Sequence, residues 1–105
     1  MHYRTTPKLS DRPKLQELKK YAWKHVGEKW EELAILLGLD ENEESAKKLE
    51  DIKEKRKDKA SMAANDVLTL WQSCDQAEPT WERLIDALET ADLNDAVKSI
   101  KDYLG

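Results

Sequence analysis

Apolar positions recur every three or four residues along most of this chain, in six successive blocks. Leu15, Leu18, Ala22 and Val26 make the first stripe. Pro13 precedes it and suits a first helical turn, where its missing N–H costs nothing. Gly27 is placed to end that helix. Trp30, Leu33, Ala34 and Leu37 then repeat at i, i+3, i+4, i+7 and predict a second helix. Gly38 closes it as a left-handed cap, with Leu39 folding back on the last turn. A third, weakly apolar helix carries Leu49 and Ile52, with Ser45 as its expected N-cap. A fourth over about 61–72 carries Ala64, Val67, Leu68 and Trp71. Thr80 is the expected N-cap of a fifth, with Trp81, Leu84, Ile85 and Leu88 on its buried face. Asp92 is the expected cap of a sixth, bearing Leu93, Ala96, Val97, Ile100 and Leu104. Residues 1–12 have no sustained period and read as a flexible arm, leaving 13–105 as the domain. Six short amphipathic helices with short connections predict an all-α antiparallel bundle.

Composition sharpens the class. The 105 residues include 38% charged side chains, three Gly, three Pro and no Phe, which suits a soluble helical domain. No apolar run approaches the roughly 18 residues of a membrane helix, and no secretory core follows Met1. The single cysteine, Cys74, cannot form an internal disulfide and fits a reducing, cytoplasmic setting.

The net charge of −4 is unevenly spread. Residues 1–26 carry seven Lys and Arg against Asp11 and Glu17, whereas residues 72–105 carry eight Asp and Glu against Arg83, Lys98 and Lys101. Between them, residues 40–51 are acidic and residues 52–59 basic. Patches of opposite sign on one small body suit docking between proteins, since complementary fields steer association. Solvated helix faces are the plain alternative.

Chemistry finds little support. His2 and His25 lack Cys or carboxylate neighbours at a zinc-type spacing, so no metal or cofactor is expected. No Gly-rich phosphate loop is present. A Cys74–His25 dyad would require a shaped cleft that a bundle this small has little room for. Adjacent carboxylates such as Glu31/Glu32 and Glu43/Glu44 splay apart on a helix and form no acid/base pair. Nucleic-acid binding has only the basic N-terminal third and residues 53–59 behind it, without a recognition-helix signature. A non-enzymatic role is the expectation.

The blocks together resemble the death domain, a six-helix module of the death-fold superfamily. The second-helix pattern is present as Trp30, Leu33, Ala34, Leu37, Gly38 and Leu39. The fourth-helix pattern appears as Ala64, Val67, Leu68 and Trp71, and the fifth-helix pattern as Thr80, Leu84, Ala87 and Leu88. Leu49 and Ile52 stand where the family has two isoleucines. The resemblance covers roughly residues 13–104. Related death-effector, CARD and pyrin modules share the bundle but lack the Trp30–Trp71 pairing. Two departures stand out: about five extra residues lie between Leu39 and Leu49, and Lys57 stands near the place of a common proline.

The resemblance implies a death-fold Greek-key arrangement and homotypic association with other death domains, or with itself, through asymmetric surfaces. Carried over by position, one side of a first contact would comprise Lys19, Lys20 and Trp23. Its facing side would comprise Glu32, Ile35 and the acidic run Asp40, Glu41, Glu43 and Glu44. A further contact would use Lys55, Arg56 and Lys57. Such a meeting of basic helix 1 with the acidic run is head-to-tail and propagates rather than closing. Trp23 lies about 95° from its helix's stripe and is either a boundary residue or a partner anchor. Ile35 is off its stripe too, and either serves an interface or packs under helix 3 or the long connection. Trp30 and Trp71 read as core anchors, and Trp81 as semi-buried. The implied role is an adaptor or receptor-tail module in apoptotic or inflammatory signalling. The alternative is a structural or autoinhibitory domain docked in cis within a larger receptor, kinase or repeat protein.

Overall fold

Helices form where the apolar stripes place them. The computed structural model describes residues 7–105 and contains, among these, six α-helices and no strand. They are α1 (Leu15–Tyr21), α2 (Trp30–Leu36), α3 (Glu43–Lys55), α4 (Ala60–Ser73), α5 (Trp81–Thr90) and α6 (Asn94–Leu104). Three single 3-10 turns lie between them, at Trp23–His25, Gly27–Lys29 and Asp75–Ala77. This is the all-α six-helix architecture expected from the pattern.

α4 is the axis of the bundle. It packs against α1, α2 and α3 and against both turns that join α1 to α2, while α6 closes on α1 and α5. Ala63 and Ala64 are fully buried beside Val67, Leu68 and Trp71. Two small side chains at one level let neighbouring helices approach closely. Leu18, Leu33, Leu37, Leu39, Leu84 and Leu88 fill the space around them. Each such leucine contributes about 1.5–3 kcal/mol by leaving water.

Several local expectations change. The first helix does not run through to Val26: it ends at Tyr21, and a 3-10 turn carries Ala22 and Val26 into the core. Leu15, at the first position of α1, is 38% exposed rather than core. Ser45 does not cap α3. Asn42 does so, its Oδ1 accepting from the N–H groups of Glu44 (2.9 Å) and Ser45 (3.3 Å). Ser45 is instead buried, donating through Oγ to the Leu39 carbonyl at 2.6 Å. Trp71 is fully buried, whereas Trp30 is only partly buried against the core. It opens α2, so part of its large ring extends past the packed layer.

The ends of α2 and α5 share one geometry. At Gly38 (φ 81°) and Leu39, the N–H groups reach back to the Ile35 and Ala34 carbonyls at 3.0 and 3.1 Å. At Asp92 (φ 61°) and Leu93, they reach Glu89 and Leu88 at 3.0 and 2.9 Å. Both are Schellman ends with a left-handed residue after the helix. Asp92 therefore terminates α5 and is not the cap of α6. A short polar side chain tolerates that conformation better than most, which is why it can stand where Gly38 stands in α2.

Trp81 is completely buried, not semi-buried. The reason lies far away in sequence. Its backbone N–H donates to the Asp11 carbonyl at 3.1 Å, and the backbone N–H of Glu82 donates to the Leu9 carbonyl at 2.9 Å. Residues 8–12 thus lie across the first turn of α5 and satisfy two of its unpaired donors, while Thr80 Oγ1 accepts from Arg83 at 3.2 Å. Arg12 pairs with Asp75 alongside. Residues 1–6 of the expected arm lie outside the described residues. From α6, Tyr103 meets Trp81 edge-on at 6.0 Å and stacks on Tyr21 at 4.0 Å, joining α1, α5 and α6.

Candidate protein-interaction surfaces

Of the expected partner residues, Trp23 and Arg56 reach the start of α4, and Glu44 of the acidic run lies beside its close. At its first turn, Trp23 donates its indole N–H to the Ser61 carbonyl. One residue on, Met62 Sδ lies 3.7 Å from Arg56 Nη1, and Arg56 Nε donates to Asp66 at 2.9 Å. Trp23 from the α1–α2 turn and Arg56 from the end of α3 therefore reach the same turn of α4. The fold thereby links, through Trp23 and Arg56 alone, the basic set that the sequence offered as two separate contacts, Lys19/Lys20/Trp23 and Lys55/Arg56/Lys57.

Its members differ in availability. Lys19, Lys20, Lys55 and Lys57 are exposed, with Lys20 Nζ 5.4 Å from the Tyr21 ring centroid. Arg56 is half-buried and engaged by Asp66. Trp23 is likewise half-buried, the boundary position its angle allowed. Met62, 41% exposed and beside Arg56, adds an apolar side chain that the sequence reading missed. Its period signal was weak because it sits one position before the Ala63–Ala64 stripe.

The acidic run lies at the other end. Asp40, Glu41, Glu43 and Glu44 are all exposed on the connection from α2 and the first turn of α3. Beside them, a shallow recess is shared by Asn42, Glu44 and Ser45 with Ser73, Cys74 and Gln76, at the close of α4. Carboxylates at the start of α3 also face its positive dipole end, and Glu44 is within 3.7 Å of Lys48. Fourteen residues of α4 separate the two surfaces, about 20 Å at the helical rise. His25 belongs with the first end and Cys74 caps the last, so these two do not pair.

α2 contributes its outer face. Ile35 is 50% exposed, and Leu36 and Glu32 are exposed as well. Glu31, one turn before Ile35, is held by Lys53 of α3 at 3.1 Å, so Ile35 flanks the α2–α3 side. Leu36 instead borders α5, near Arg83 and Thr90. Lys53 also reaches Glu50 at 3.2 Å, and its hydrogen bonds to Glu31 and then Glu50 raise its pKa above the ordinary 10.5.

At the start of α4 lie Trp23, Arg56 and Met62, and on the α2–α3 connection and the start of α3 lie four exposed carboxylates. Among the described residues no helix is long and apolar enough to cross a membrane. A family model described as Death domain matches residues 15–104, the first residue of α1 to the last of α6. No match was found among curated proteins or solved structures.

Proposed function

We propose that this chain, which belongs to the death domain family, is a non-enzymatic module for homotypic association with other death domains. The family supports a protein-interaction role in general. The finer reading is ours: head-to-tail contacts between the basic end of one domain and the acidic end of the next, in cytoplasmic apoptotic or inflammatory signalling. One observation supports it: four exposed carboxylates lie on the α2–α3 connection and the first turn of α3, while Trp23 and Arg56 meet at the start of α4. Identical ends would favour closed pairs, whereas unlike ends on one body generate open chains. Lys19, Lys20 and Lys57, together with Met62, form the donor side. Asp40, Glu41, Glu43 and Glu44, with Ile35 beside them, form the receiving side. The domain boundary at about residue 13 belongs to the same proposal.

Light scattering against concentration tests it. The wild type grows in mean mass with concentration and shrinks with added salt, because exposed charges are screened within about 8 Å at physiological ionic strength. Lys19→Glu/Lys20→Glu and Glu43→Lys/Glu44→Lys each stay monomeric alone. Mixed together, they form one-to-one pairs, since each keeps one working end. A wild type that stays monomeric at every concentration and binds no other death domain ends the proposal.

A further inference from the structure

A second surface, away from both ends of α4, has the form of a docking groove. It runs between α5, the end of α6 and the segment that crosses the α5 N-terminus, and encloses about 530 Å³. Ile85 and Leu104 form its floor with Leu9, which is 52% exposed. Along its α5 wall stand Glu82, Asp86 and Glu89, exposed and spaced i, i+4, i+7 on one side of the helix. Opposite them, among the described residues that line the groove, is one cation, Lys101, already 3.4 Å from Glu89.

We infer that this groove receives a basic amphipathic helix of a partner protein. Each part of the occupant is fixed by a part of the groove. The apolar floor asks for an aliphatic stripe. The acidic wall asks for Lys or Arg along one flank, repeating at three or four residues to match carboxylates spread over about 10 Å of helix. The same wall repels anionic lipid and nucleic acid, so charge selects against both.

The occupant also has a route into the fold. Leu9 lines the groove with its side chain and accepts the Glu82 N–H with its carbonyl. A helix lying against Leu9 therefore holds residues 8–12 onto α5 and protects that hydrogen bond. This site is independent of the head-to-tail reading, sharing no residue with it.

The test uses the isotope-labelled chain and an 18-residue Leu/Lys peptide with leucines at i, i+3, i+4, i+7. A scrambled peptide of identical composition is the control. The expected result is amide shift changes centred on Leu9, Glu82, Asp86 and Leu104, with slower exchange of the Glu82 amide. The scrambled peptide binds at least tenfold more weakly. Asp86→Lys and Leu9→Ser, both at exposed side chains, each weaken binding at least tenfold while the circular dichroism spectrum is retained. Equal affinity for the scrambled peptide overturns the inference, because it reports charge attraction alone. Shifts centred on residues 40–44 overturn it too, as does retained affinity in both variants. Dilution-dependent shifts at the groove without peptide would give it to a second copy of this chain, and also end the inference.

Discussion

The basic and acidic ends of α4 are built by different means. The basic end is braced by one contact between distant segments, Trp23 to Ser61, and by shorter-range ones from Arg56 to Met62 and Asp66. The acidic end is built locally, by Asn42 capping α3 and by Ser45 bonding to Leu39 and Asn42. Both carry exposed charge, yet only one depends on the bundle being closed. It follows that the bonds of the acidic end need only α2 and α3, whereas the basic end also needs the α1–α2 turn packed on α4.

Removing Trp23 should break the comparison most severely. Trp23→Ala takes away a half-buried ring and the bond to Ser61, and should cost about 2–3 kcal/mol, below the range for fully buried tryptophans. Trp23→Phe keeps most of the packing and should cost about 1 kcal/mol, the net worth of one hydrogen bond. Urea denaturation followed by circular dichroism measures both. Equal losses in the two variants would show that the indole N–H, not the ring, braces this end.

At the acidic end the largest effect should come from Ser45→Ala. The Leu39 carbonyl then loses the hydroxyl that reaches it at 2.6 Å in a buried site. An unpaired buried acceptor costs about 1–3 kcal/mol, and a loss near 1–2 kcal/mol is expected in the same assay. Asn42→Ala should follow at about 1 kcal/mol, the usual loss for an N-cap. If the end is as local as its bonds indicate, a peptide covering residues 29–56 should lose helicity on Asn42→Ala as well.

The same division explains what the sequence reveals. Stripes, the Gly38–Leu39 stop and the Thr80 cap are legible because each is settled within a few residues. Asp92 is misread as a cap because aspartate suits both a helix start and, less often, a left-handed stop. Ser45 is misread for a similar reason, with a better cap three residues earlier. The burial of Trp81 is not legible at all. It depends on carbonyls at Leu9 and Asp11 and on Tyr103, some seventy residues before and twenty after. Of the candidate surface, the charges were readable and their union at Ser61 and Met62 was not, since no local pattern joins residue 23 to residue 56.

Between the two ends, Lys53 offers a finer test. Asp66→Asn should come before it in size, at about 1 kcal/mol, because the Arg56 pair is only about 30% exposed on each side. Lys53 ties α2 to α3 through Glu31, and its hydrogen bonds there hold its pKa above 10.5. A lysine whose pKa is higher folded than unfolded stabilises the fold in full below the unfolded value. That contribution fades as pH rises through the folded value. For a pair this open to water the amount is a few tenths of a kcal/mol. Denaturation midpoints should therefore fall slightly more steeply above pH 10 in the wild type than in Lys53→Met. Parallel curves for the two would mean that the Lys53 ammonium adds nothing to the α2–α3 contact, leaving the acidic end to stand on its local bonds alone.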